Sequence, residues 1–255
     1  MTRVAWCASA DAVAHLIVEQ LDDQLRVTDA DGHHLQRVRR LRTGELITAA
    51  DGAGQWREYT IAATEPGALT LEARAAPATE PVLHPPLRVA CALTKGEHPD
   101  AVVRHCSELG VDAVLLVIAA RSVVRWDTDR ATRALTRLRR VAREAAAQCR
   151  RARLLTVEPA VPLADLARQP GLLVADRDGD PAHLLPAPTP AGWLVVVGPE
   201  GGLTPDEHTQ LGHPPRLAVG PHVLRAETSA LAAAAALTGH RQPRPAPTPQ
   251  SDHPA

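Results

Sequence analysis

Two periodicities divide the chain. Up to about residue 76, apolar positions alternate in short runs: QLRVTDADGHH, GELITAADGAGQWREYTIAAT and GALTLEARA, broken by Asp-Gly and Pro-Gly turns. That spacing predicts a small antiparallel barrel or sandwich. The proline-bearing APATEPVLHPP then has the composition of a linker. From Leu87 onward, apolar strand-length runs alternate with helical patterns, which predicts a mainly parallel α/β domain over 82–240. LRVACAL, VDAVLLVIA, LLTVEP, LLVADRD, WLVVVG and PRLAVG are the expected strands. Pro99–Leu109 presents Val102, Val103, Cys106 and Leu109 on one helical face, with Gly110 as its stop. A longer helix is expected from Thr128 to Arg151, with Ala131, Leu135, Leu138, Ala142 and Ala145 along one side. Short helices are expected in PLADLARQ and TPDEHTQLG, and a last one over Glu227–Gly239. The tail from residue 241, RQPRPAPTPQSDHPA, is proline-rich and without apolar periodicity, so it is expected to be disordered.

Length and composition narrow the classes. The 255 residues suffice for one large or two modest domains with a buried core. Four widely spaced cysteines without a C-x-x-C pair argue against a zinc site or a disulfide scaffold. His15, His33, His34 and His105 show no metal-ligand spacing, and no metal is expected. No charged leader precedes a long apolar run, and no run approaches the roughly 20 residues of a membrane span. A cytoplasmic protein without a membrane partner is the expectation. Aromatic residues make up 2% of the chain and Phe is absent, which argues against an RNA surface built on rows of aromatic platforms.

Charge is balanced overall, 28 basic against 29 acidic residues, yet unevenly spread. Between residues 121 and 153 stand 11 arginines, Arg121, Arg125 and Arg151 among them, against three acids. HHLQRVRRLRTGE adds Arg37, Arg39 and Arg40 near the N-terminus. Two basic patches on two domains form the electrostatic footprint of a phosphate-backbone binder. Gln148, three residues before Arg151, would share its helix face.

The sharpest motif is WLVVVGPEGGLTPDE at 193–207: an apolar strand stops at Gly198, and a Gly-Pro-Glu-Gly-Gly turn leads into a helix capped by Thr204. Ligands of open α/β sheets sit at the carboxyl ends of the strands. RLAVGPHVLRAETSAL repeats the design one strand later, so the two turns could wall one crevice. Neither is a G-x-G-x-x-G or P-loop pattern, and a plain strand-to-helix turn can have the same local sequence.

Taken together, these motifs resemble the RsmE family of SPOUT-superfamily methyltransferases. The resemblance rests on HHLQRVRRLRTGE, LTKGEH, SELGVD, REAAAQCRR, VVVGPEGGLTPDE and LAVGPHVLRAETSAL, in that order. It implies a PUA-like β-barrel over 1–76 that helps hold RNA, and an α/β methyltransferase domain tied in a trefoil knot. It also implies a homodimer that methylates N3 of a uridine in 16S ribosomal RNA of the small subunit, using S-adenosylmethionine. By motif, the cofactor would contact Leu173 and Ala175, the run Val197, Gly198, Pro199, Glu200, Gly201 and Gly202, and the residues Val219, Gly220, Val223, Leu224 and Thr228.

The chain departs from the family pattern in places. The usual LRTET reads Leu224-Arg225-Ala226-Glu227-Thr228, and EAAEQ reads Glu144-Ala145-Ala146-Ala147-Gln148. Uridine N3 carries an imide proton that must leave as the methyl arrives. Glu227 is the expected acceptor with Arg225 stabilising charge on the carbonyl oxygens, and Glu200 is the other candidate base. A ribose 2′-O-methyltransferase of the same superfamily, and a non-catalytic RNA-binding assembly factor, remain as alternatives.

Overall fold

The computed structural model describes residues 11–28, 41–94, 98–122, 124 and 126–245. Contacts divide them into two compact units. The first runs to Val82 and takes in Arg150–Arg153 and the described residues from Pro243, and the second comprises Leu83–Cys149 and Leu154–Gln242.

In the first unit, β1 (Ala14–Ile17), β2 (Gln24–Val27), β3 (Leu46–Ala50), β4 (Gln55–Glu65), β5 (Ala68–Ala73) and β6 (Ala78–Thr79) form one sheet. Its order is β1-β3-β4-β5-β2, with β6 on β4. The turn chemistry predicted from sequence sets the register. Pro66-Gly67 joins β4 to β5 with Glu65 opposite Ala68, and Gly67 sits at φ 78°, where a side chain would be strained. In the β3–β4 loop the Asp51 carboxylate accepts from the backbone N–H groups of Ala53, Gly54 and Gln55. One pair departs from the antiparallel expectation: β1 runs parallel to β3.

The inner face packs Ile47, Ala49, Tyr59, Ile61, Leu69 and Leu71. His15 is buried beside it, its Nδ1 2.8 Å from Thr48 Oγ1. Burial, with the Arg150 charge, pushes its pKa down to about 4. The folded state therefore binds fewer protons than the unfolded chain between about pH 6.5 and 4. Stability is full above pH 6.5 and falls by up to about 3 kcal/mol as the pH drops through that window. Glu80, whose pKa burial raises, works in the opposite sense. The expected result is a melting temperature that falls more steeply below pH 6.5 in the native chain than in His15→Asn. Equal slopes would remove His15 as the cause.

A short strand β7 (Val82–His84) precedes the second unit's sheet: β8 (Leu87–Ala92), β9 (Ala113–Ile118), β10 (Thr156–Pro162), β11 (Leu172–Asp180), β12 (Trp193–Val197) and β13 (Arg216–Leu217). Every pairing in it is parallel, in the order β10-β9-β8-β12-β11-β13. The chain thus winds outward one way from β8 to β10, then fills the other side with β12 seated next to β8. The topological switch lies between β8 and β12.

Both sheet faces are covered, so the strands read as apolar runs rather than alternations. Leu87, Val89 and Cys91 of β8 pack on one face under α1 (His98–Glu108), α2 (Thr128–Cys149) and α4 (Ala226–Thr238). Ala90 and Ala92 face the other side, closed by Leu163 and Leu166 of a 3-10 turn and by Leu211 after α3 (Pro205–Gln210). Helix α2 buries Leu138, Val141, Ala142, Ala145 and Ala146; Ala131 and Leu135 are only half-buried, with Leu135 packed against the margin of the core. It ends at Cys149 rather than Arg151, because Arg150 turns to φ 59°. Arg151 is therefore off the helix and does not share a face with Gln148, contrary to the spacing. The expected disorder from residue 241 is also corrected: Arg241 is buried, and Gln242–Arg244 form β14. The rest of that tail, from 246, lies outside the described residues.

Candidate functional site

The site is built at the carboxyl edge of the parallel sheet. Five buried residues of β12, Trp193–Val197, end at Gly198, and the chain must turn there. Gly202 N–H donates to Pro199 C=O (2.8 Å) to close the turn, and Gly202 takes φ 68°, a conformation suited to glycine. The far end is clamped by a capping box on α3: Thr204 Oγ1 accepts from Glu207 N–H, and Glu207 Oε2 accepts from Thr204 N–H (2.7 Å). Glu207 is 5% exposed, and its Oε1 also accepts from Ala120 N–H (2.7 Å), which anchors the loop to the end of β9. Burial would raise its pKa, but those N–H groups and Arg121 outweigh it and hold the carboxyl below the usual range. Reading Thr204-Pro205-Asp206-Glu207 only as a capped helix start missed this second anchor, although a capping-box glutamate was visible in the spacing.

A cavity of about 380 Å³ opens beside this turn. Three segments wall it: Val174–Asp178 from β11, Val197–Leu203 after β12, and Val219–Leu224 after β13. Ala175, Val197, Gly198, Pro199, Glu200, Gly201, Gly202, Val219, Gly220, Val223 and Leu224 all line it. Two expected residues do not. Leu173 turns to the opposite side of β11 and is buried in the core with Trp193 and Val195, because side chains alternate along a strand. Thr228 is exposed, and Ser229, one position on, lines the cavity instead. Asp176 supplies a carboxylate at the rim, 3.2 Å from Arg216, with a further bond from Asp178 N–H. Burial acts to raise its pKa, but those partners prevail and keep it ionised.

The three candidate catalytic residues separate. Glu200 lines the cavity, whereas Arg225 and Glu227 do not. Arg225 is the exposed N-cap of α4, and Glu227, in its first turn, places Oε2 2.8 Å from His98 Nδ1. Burial would raise the Glu227 pKa, but its own backbone N–H, His98 and Arg225 hold it below the ordinary range. Both carboxylates act on Cys91 at the end of β8. Burial, with Glu227 and Glu200, pushes that thiol up to about 12, so it stays protonated and is no nucleophile.

The predicted basic contacts fare unevenly. Arg121 is exposed, but its Nη1 donates to Gly201 C=O, so it buttresses the turn. Gln148 is exposed near the end of α2. Arg151 belongs to the first unit, where its charge faces the Glu80 carboxylate. Arg37, Arg39, Arg40 and Arg125 lie outside the described residues. Among the described residues no group of three or more His, Cys, Asp or Glu could hold a metal, and no helix is long and apolar enough to cross a membrane.

Comparison with known proteins follows the same division. An RNA methyltransferase domain family matches residues 82–238, and an RNA methyltransferase PUA domain family matches 27–73. The ribosomal RNA small subunit methyltransferase E of Mycobacterium bovis is 36% identical over 223 residues, 83% of this chain and 85% of that protein. The Bacillus subtilis protein of the same name is 26% identical over 83% and 88%. The crystal structure of ribosomal RNA small subunit methyltransferase E from Neisseria gonorrhoeae, bound to S-adenosyl methionine, superposes with a TM-score of 0.79 at 25% identity, covering 89% of this chain and 97% of that one. A cavity walled by three strand-end loops, joined to a PUA domain and these relatives, leads to one conclusion: the chain belongs to the ribosomal RNA small subunit methyltransferase E family of RNA methyltransferases.

Proposed function

We propose that this chain transfers a methyl group from S-adenosylmethionine to N3 of a uridine in 16S ribosomal RNA. The observation that carries this reading is the cavity at the carboxyl edge of the sheet. Its volume is that of a site for a drug-sized ligand, and its lining joins apolar residues and four glycines to the carboxylates of Asp176, Asp178 and Glu200. A Cβ on Gly220 would meet no atom within 4 Å, so the cradle is open where a ligand would lie. When bound there, S-adenosylmethionine supplies an electrophilic methyl on a positively charged sulfur.

The chain's own residues do the rest. Backbone groups of Val197–Leu203 and Val219–Leu224 hold and orient, and rigid clamping of the turn by Glu207 keeps the reacting atoms in line. We assign the proton acceptor to Glu200, the candidate base that lines the cavity. Its carboxylate would accept the N3 proton as that nitrogen takes up the methyl group. Glu227 and His98 flank the site at the end of β8 without lining it. Glu200→Gln is expected to lower kcat by about 100-fold with cofactor affinity kept within threefold, read by single-turnover assay and calorimetry. If Glu227→Gln loses that activity and Glu200→Gln does not, the acceptor is Glu227.

Several finer features belong to the same proposal. The last segment crosses from edge strand β13 back to α4, which packs on β8 and β12. That path supports a trefoil knot. Val223, 78% exposed at the rim of the cavity, would be covered in the homodimer that the family resemblance implies. Residues 1–76 hold RNA, 82–240 perform catalysis, and the ribosomal substrate puts the reaction in the cytoplasm. Labelled S-adenosylmethionine offered to small subunits lacking the modification, followed by nucleoside mass spectrometry, tests the whole reading. N3-methyluridine is the expected product. A ribose-methylated product would move the chain to another reaction, and no label with no cofactor binding would favour an assembly factor.

A further inference from the structure

A second concavity, of about 410 Å³, lies on the same unit and serves none of the roles above. It is bounded by Thr94, which follows β8, by Val124 and Trp126, which follow β9, and by Arg130, Arg133 and Arg137 of α2. The strand order puts it at the carboxyl ends of β8 and β9, beside the cofactor cavity at the ends of β12, β11 and β13. The His98–Glu227 pair stands at the seam, since α1 begins just after β8 and α4 packs on β8 and β12.

The arginines recur at three- and four-residue steps, so they share one helix face. Arg137 is fixed by an ion pair with Asp100 at 2.9 Å. Arg130 and Arg133 are exposed and form no ion pair among the described residues. Trp126 is half-buried, and with Val124 it packs against the hydrophobic core while lining the groove. By contrast Trp193 is 6% exposed inside the core. A half-buried indole beside two exposed guanidinium groups without a direct ion pair among the described residues fits a base with its phosphates. A second protein copy is a poorer occupant, because it would have to bury the Arg130 and Arg133 guanidinium groups, neither of which has an ion-pair partner among the described residues.

We propose that this groove seats the single-stranded RNA segment carrying the methyl acceptor, with a base stacked on Trp126 and phosphates held by Arg130 and Arg133. The inference rests on the RNA-methyltransferase reading. It extends that reading to residues that the charge pattern of 121–153 contained but could not single out.

The test uses the full chain, 16S ribosomal RNA and small subunits lacking the modification. Arg130→Ser/Arg133→Ser is expected to raise KM and Kd for RNA by about 10- to 100-fold and to reduce the slope of log K against log salt by roughly 1.4. Affinity for S-adenosylmethionine should stay within twofold. Trp126→Ala is expected to weaken RNA binding by at least about fivefold, and Trp126→Phe to restore most of it. If the wild type methylates RNA but all these variants keep its RNA affinity, KM and salt slope, the groove is not the RNA seat. A change of oligomeric state by light scattering, with RNA affinity per subunit retained, would assign the groove to contact between copies and also overturn the proposal. Failure of the wild type itself to methylate would instead bring down the methyltransferase reading.

Discussion

Arg241→Ala is expected to destabilise the methyltransferase unit by about 2–3 kcal/mol, below the range for breaking an ion pair buried on both sides, because the Asp112 side chain is 40% exposed. The Arg241 side chain is wholly buried. Its Nε donates to Pro85 C=O and its Nη1 to Gly110 C=O, both at 2.7 Å, while Nη2 reaches Leu83 C=O at 3.1 Å and Asp112 Oδ2. The same Asp112 oxygen accepts from Leu87 N–H at the start of β8. One guanidinium thus joins the approach to β8, the loop after α1 and the approach to β9. Alanine leaves the carbonyls of Leu83, Pro85 and Gly110 without this donor, while Asp112, 40% exposed, keeps Leu87 N–H and can turn to solvent. Arg241→Lys is expected to recover less than half, since an ammonium cannot present the planar fork. Urea denaturation and hydrogen exchange of the β8 and β9 amides would measure both. A loss below 1 kcal/mol for alanine would show that solvent replaces these bonds.

Gly220→Trp is expected to weaken S-adenosylmethionine binding by roughly 100-fold or more, about 2.7 kcal/mol. The reasoning is steric. Gly220 lines the cavity, a Cβ there meets nothing within 4 Å, and its φ is not in the left-handed region. An indole can therefore enter the space meant for ligand without displacing protein. Folding should be nearly untouched, with the melting temperature within a few degrees of the parent, as surface-like substitutions allow. Calorimetric titration beside a thermal melt would separate the two effects. Cofactor binding within threefold of wild type would mean that the ligand lies elsewhere in the crevice.

Helix ends were legible where local chemistry sets them, as at Thr204 with Pro205 and Glu207 behind it. They were misread where a single backbone turn decides, as at Arg150. Strand faces were ambiguous for a physical reason. Strands covered on both sides are apolar throughout, so nothing in Leu172-Leu173-Val174-Ala175 says which residues face a cavity and which the core. Basic residues were harder still. The run 121–153 gave a charge but not a direction, and the structure sends Arg121 to Gly201, Arg137 to Asp100 and Arg151 to the neighbourhood of Glu80.

Sequence alone determined the two-part organisation, the parallel α/β character of the second part, and the Gly-Pro turns where a ligand site would form. Periodicity and turn chemistry are local, and they survive without knowledge of partners. Only the tertiary structure decided which side of each loop faces the cavity, that Glu200 and not Glu227 lines it, and that Arg241 is a buried tie rather than part of a tail. Those outcomes depend on which strands become neighbours, and the order β10-β9-β8-β12-β11-β13 arises from contacts between residues far apart in the chain.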